Sequence, residues 1–123
     1  MSEHLSFSFR YLDTTKAKFL VKACDHTYFA LVMGRLKALS EMSRKDFLNL
    51  PITGGKSWRV HRITWNDRVS ESGFGLHETL TADENAWQFM LSKDNGRVHG
   101  FLIGNVFFVR WIDPDHALYP GGD

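Results

Sequence analysis

Three groups of side chains in this sequence are of a type that can act on a phosphodiester. The first is Arg97, His99 and Arg110, with Ser92 beside them once the C-terminal strands are paired. Two guanidinium groups can hold phosphate oxygens bidentately and stabilise charge growing at phosphorus, while an imidazole moves a proton near neutral pH. The second is the corner DPDHALY at 113–119. Pro114 must stop a strand there because it has no N–H for the ladder. His116 is then the candidate general acid or base, and Tyr119 the group that positions or protonates a leaving oxygen. The third is Arg59 and His61, with Arg62, in WRVHRITW. Each group also has a plainer reading: solvated charges on an exposed sheet face, aspartates capping a turn while Leu118 and Tyr119 dock the tail, or ordinary surface cations.

A metal-dependent hydrolase centred on Asp113, Asp115, His116 and His99 is a further alternative, but no HExxH or paired CxxC spacing accompanies those residues. There is no phosphate loop, no GxSxG elbow and no dinucleotide fingerprint, so no cofactor and no metal are expected. Cys24 is the sole cysteine, which excludes an internal disulfide and reads as a small buried residue at a strand–helix junction. Lys56, following Gly54-Gly55, can reach a phosphate or stand in solvent.

The remaining sequence must position these groups. A chain of 123 residues with 43% hydrophobic content and ten phenylalanines suits a single domain, 1–123, with its own core. Fifteen Lys and Arg against fourteen Asp and Glu leave it almost neutral, so affinity for nucleic acid has to come from a local patch. No basic leader precedes an apolar run, and no segment reaches membrane-spanning length, from which a cytoplasmic protein with no membrane contact is expected.

Leu5, Phe7 and Phe9 alternate with polar residues, the period of a half-buried strand, and a second short strand is expected over 18–23. Asp25 or Thr27 caps a helix whose apolar positions Phe29, Val32, Met33, Leu36 and Leu39 share one face. Ser43, with Asp46 three residues on, opens a second helix that Pro51 and Gly54-Gly55 end. Residues 58–65 read as a strand whose parity is open: either Trp58 and Val60 or Ile63 and Trp65 face the core. The stretch 66–85 reads as a long, mobile loop.

Asn95-Gly96 and Gly104-Asn105 predict two tight turns joining strands 87–93, 97–103 and 106–113 in a meander. Counting outward pairs Ile103 with Val106, Phe101 with Phe108, His99 with Arg110, Val98 with Trp111, Ser92 with His99 and Met90 with Phe101. One face then carries Trp87, Phe89, Leu91, Val98, Gly100, Leu102, Phe107, Val109 and Trp111 and must be the core. The reverse face collects Met90, Phe101, Ile103, Val106 and Phe108 at one end, and Ser92, Arg97, His99 and Arg110 at the other. The expected fold is α+β: a small antiparallel sheet with a C-terminal three-stranded meander packed on an N-terminal amphipathic helix or helical hairpin.

An early strand, a helical hairpin and a meander closing in RVHGFLIGNVFFVRWIDPDHALY resembles the RelE/HigB-like superfamily of small bacterial toxins. The resemblance implies a metal-independent endonuclease acting on messenger RNA at the ribosome, with an antitoxin-like protein partner covering its basic face. It implies phosphate-binding roles for Arg97 and Arg110, and the terminal acid/base role for His116 or Tyr119. His99 and Ser92 join the expected site from the register count, and Arg59 and His61 join it if Trp58 and Val60 face the core. The chain departs from the pattern in its near-neutral charge and its long 66–85 loop. The competing expectation is a non-catalytic intracellular binding module, dimeric or docking another protein through Met90, Phe101 and Phe108.

Overall fold

The computed structural model describes residues 4–19, 25–53, 58–92 and 95–122. Cys24, Gly54-Gly55, Lys56 and most of the strand expected over 18–23 lie outside them. Phe19, at the start of that stretch, closes a 3-10 turn, Ala17–Phe19, instead of entering a strand.

The protein is α+β: strand β1 (Ser6–Ser8) and helices α1 (His26–Ser40) and α2 (Arg44–Thr53) precede strands β2 (His61–Arg62), β3 (Ala86–Met90), β4 (Arg97–Ile103) and β5 (Val106–Asp113). The five strands form one sheet in the order β1-β5-β4-β3-β2. It is mixed rather than wholly antiparallel, because β1 runs parallel to β5, with Phe7 opposite Phe107. Both helices lie between β1 and β2 in the chain and join strands at opposite edges of the sheet, while β5, the parallel neighbour of β1, follows only after β2, β3 and β4.

Asp25, not Thr27, caps α1, its carboxylate accepting the Tyr28 N–H at 2.8 Å. Val32, Leu36 and Leu39 are buried beneath α1, whereas Met33 turns away and is 57% exposed. Ser43 Oγ accepts the Asp46 N–H, which starts α2. Pro51 falls inside α2 rather than ending it. Lacking an N–H, Pro51 cannot donate to the Phe47 carbonyl one turn back, so the last turn of α2 lacks that bond.

Gly104 turns the β4–β5 hairpin with a positive φ of 59°, and Ile103–Val106 and Phe101–Phe108 pair as counted. Beyond that the register changes. A β-bulge between His99 and Gly100 leaves Arg110 unpaired, so His99 faces Trp111 and Val98 faces Ile112. The extra residue inverts the alternation: Ile112 reaches the helix side, and Trp111 moves to the opposite side. At the other hairpin, Met90 pairs with Arg97 and Gln88 with His99, four residues from the expected partner Ser92. Gly96 does adopt the positive φ that its turn signal implied, at 83°, but β3 ends at Met90, and Leu91 N–H bonds the Gly96 carbonyl. A shift of four preserves side-chain parity, so the faces of β3 and β4 stand as expected.

The helix-covered face buries Trp87, Phe89, Leu91, Val98, Leu102, Phe107, Val109 and Ile112 against Val32, Leu36, Leu39, Phe47 and Leu50. The reverse face is covered too. Segments 11–19 and 63–86 and the tail at 117–119 close over it, placing Phe19, Ile63, Val69, Phe74 and Leu118 against Phe101 and Trp111. Trp111 stacks on Phe19 at 4.6 Å and meets Phe74 edge-on at 5.1 Å. The 66–85 stretch holds only two 3-10 turns, Glu78–Leu80 and Asp83–Asn85, yet its Phe74 and Ala82 are buried.

Candidate functional site

The reverse-face charges are interior groups, and each meets a polar partner. His99 and Asp113 are both fully buried, and His99 Nε2 donates to Asp113 Oδ2 at 2.8 Å. Burial drives the His99 imidazole below its ordinary value of 6.5, and contact with Asp113 only partly opposes this. For Asp113, burial pushes upward, but bonds from His99 and from the Ala117 and Leu118 N–H groups outweigh it and hold the carboxyl below the usual range. The pair is therefore a neutral imidazole donating to a carboxylate. Arg97 is buried opposite Asp113 in the ladder and donates to the Gly96 carbonyl.

Arg110, in the bulge, sends Nη1 to the Tyr11 carbonyl at 2.9 Å and Nη2 to the Phe74 carbonyl at 2.9 Å. Asp13 Oδ2 lies 3.9 Å from the same guanidinium. These bonds satisfy carbonyls in the two segments that lie over the sheet without regular structure of their own. Ser92 sits in the β3–β4 loop, bonded by Asn95, and does not join His99.

A different grouping forms where β2 meets the tail. Val60 is buried on the helix side, so His61 falls on the reverse side opposite Gln88, which resolves the open parity. His61 Nδ1 donates to the Arg62 carbonyl at 2.9 Å, so its Nε2 is the acceptor for the Gln88 amide at 2.9 Å. The tail folds back after Pro114 and sets the Tyr119 ring edge-on to His61 at 5.6 Å, with His116 at 6.4 Å from Tyr119. His116 holds a left-handed φ of 55°, a conformation uncommon for residues with a side chain. Arg59 is exposed, also at positive φ, and precedes the ladder.

His61, Arg62, Thr64, Asn66, Arg68 and Tyr119 line a cleft of about 210 Å³. Arg62 is braced by the Glu84 carbonyl and lies over the Trp87 ring. Arg68 follows an Asx turn, in which Asn66 Oδ1 accepts its N–H at 2.9 Å, and its guanidinium has no ion pair among the described residues. Ser70 N–H bonds the Leu118 carbonyl at 2.8 Å, tying this turn to the tail.

The structure thus brings together His61, His116 and Tyr119 from the expected set, and separately His99 with Asp113. Arg97, Arg110 and Ser92 stand elsewhere. Arg68, Asn66 and Thr64 were missed; the only signal was the RITWNDR run itself, which crosses an expected strand end. Among the described residues no three His, Cys, Asp or Glu side chains are placed to hold a metal ion. No helix among them is long and apolar enough to cross a membrane. No family model, curated protein or solved structure matches the chain.

Proposed function

We propose that the protein is a RelE/HigB-like, metal-independent endonuclease acting on messenger RNA, and that its reaction centre is the corner of the tail rather than the sheet face. The observation that supports this reading is the return of the tail onto β2, which sets Tyr119 between His116 and His61 at the mouth of a cleft lined by Arg62 and Arg68. In such a site the ribose 2′-hydroxyl attacks phosphorus and the 5′-oxygen leaves. His116 moves the proton, Tyr119 orients or protonates the leaving oxygen, and the arginines stabilise the charge on the phosphorane. Arg59 and His61 contact the adjoining backbone, and an antitoxin-like partner silences the protein by covering this edge.

The test is growth inhibition on expression, followed by RNA cleavage with ribosomes present. Wild type is expected to slow growth and cut message, and His116→Ala and Tyr119→Phe to lose about 100-fold or more in cleavage while remaining folded. Wild-type protein that neither slows growth nor cuts RNA rejects the reading.

A further inference from the structure

The side chain of Asp113 closes β5 and is the point to which the tail is fastened. Its Oδ1 accepts the Ala117 N–H at 2.7 Å, its Oδ2 accepts the Leu118 N–H at 3.0 Å, and its carbonyl accepts the His116 N–H at 3.2 Å. The remaining bond to the carboxylate comes from His99 Nε2. Because Nε2 carries that proton, Nδ1 bears the lone pair, and it is buried with no hydrogen-bond partner among the described residues. The ring is walled by Phe19 at 6.2 Å and Trp111 at 6.3 Å.

We propose that the buried His99–Asp113 pair is a proton-operated latch: with His99 neutral it holds residues 114–119 against the sheet, and a proton added at His99 Nδ1 releases them. The second proton would enter a buried enclosure walled by Phe19 and Trp111 where Nδ1 has no acceptor among the described residues, so the ring must turn to a new acceptor or reach water, and the tail is the adjoining cover. The inference does not depend on the RNA reading, since the latch concerns how the tail is held and not what it does.

Five elements face His99. β5 supplies Asp113, whose carboxylate favours the proton, and Trp111; the tail supplies His116 and β2 supplies His61, both of which oppose it when charged. The turn Ala17–Phe19 contributes only the Phe19 ring, and β3 contributes Gln88, neither of them titratable. Burial, the largest influence, sets the sign. The docked form binds fewer protons than the released form, so docking is complete above the ordinary histidine value of 6.5 and weakens as pH falls below it.

Amide exchange of the full chain, corrected for intrinsic rates and followed from about pH 8 to about pH 5, tests this. The Ala117 and Leu118 amides are expected to lose roughly tenfold or more in protection across that range while Leu36 in α1 keeps its own. His99→Gln, which retains a donor for Asp113 but cannot titrate, is expected to show no such loss. Protection at Ala117 and Leu118 that is constant, that falls only in step with Leu36, or that falls equally in His99→Gln overturns the proposal. Should His99→Gln fail to fold, the imidazole nitrogen shifts of wild type decide. Protonation of His99 that coincides with loss of Leu118 protection supports the latch, and protonation with Leu118 still protected refutes it.

Discussion

The two faces of the sheet are both buried, but by different means. On one side two amphipathic helices satisfy their own backbone groups, so the interface is built chiefly of apolar side chains such as Val32, Leu36, Phe47 and Leu50, with Tyr28 and Arg35 of α1 donating to the Asn95 and Met90 carbonyls at its edge. On the other side the cover is chain with almost no regular structure, and its backbone has to find partners elsewhere. The sheet supplies them from side chains: Arg110 to the carbonyls of Tyr11 and Phe74, and Asp113 to the amides of Ala117 and Leu118. The cover adds its own, with Asp83 bonding the Phe74 N–H and Asp13 the N–H groups of Thr15 and Lys16. Charged residues in strands that look built for burial are therefore what an irregular cover requires.

Removing the anchor of either cover should have the largest effect. Phe107→Ala and Phe74→Ala are each expected to cost about 3–5 kcal/mol in urea unfolding. Phe74→Ala should retain the helical circular dichroism, and a cost below about 1 kcal/mol would mean that the second cover is not a core. Next comes the backbone supply. Asp113→Asn, which keeps the shape but not the charge, is expected to lose about 1.5–3 kcal/mol. Arg110→Ala should lose about 1–3 kcal/mol, with Arg110→Lys recovering only part because one ammonium cannot span both carbonyls. An Arg110→Ala protein as stable as wild type would remove the contrast drawn between the faces.

Acid should separate the faces further. For Asp13, Asp113 and Glu71, burial pushes the carboxyl upward but hydrogen bonds, and for Glu71 the ammoniums of Lys16 and Lys18, bring it below the ordinary 3.8, 3.8 and 4.5. Each stabilises the fold above those values and loses that contribution as pH falls through its lowered one. All three lie in or under the irregular cover, so hydrogen exchange below about pH 4 should open 63–86 before α1. Simultaneous opening would contradict this. The smallest effects belong to the surface: Glu71→Gln should cost at most about 1 kcal/mol, and Lys37→Ala, which breaks an exposed helix pair with Glu41, should leave the urea midpoint unchanged.

What the sequence revealed follows the same division. Helices α1 and α2, the Gly104 turn and the facing of β3 and β4 depend on local periodicity and were legible in residues a few positions apart. The bulge at Arg110 was not, because nothing local distinguishes Val109-Arg110-Trp111 from an ordinary strand. It sits beside Gly100, where a Cβ would collide with the Phe108 carbonyl and the Phe107 ring, so that close approach of the strands requires a glycine. Trp111 was accordingly assigned to the wrong side and Ile112 overlooked. The parity of 58–65 looked open because only one sheet face was expected to be covered; Val60 and Ile63 bury on opposite faces, as alternation places residues three apart, and both faces are covered. Of the candidate site, the His116–Tyr119 corner was visible through Pro114, whereas the approach of His61 and Arg68 depends on tertiary folding of the tail and the 66–70 turn.

The parallel contact between β1 and β5 ties together strands a hundred residues apart in the chain. During synthesis Phe7 leaves the ribosome about a hundred residues ahead of Phe107, so its place in the sheet does not exist until β5 has been made. The helices can form on the way, but this edge of the sheet is completed only once β5 has emerged. A partner that waits at the exit site would meet β1 while it is still free to pair.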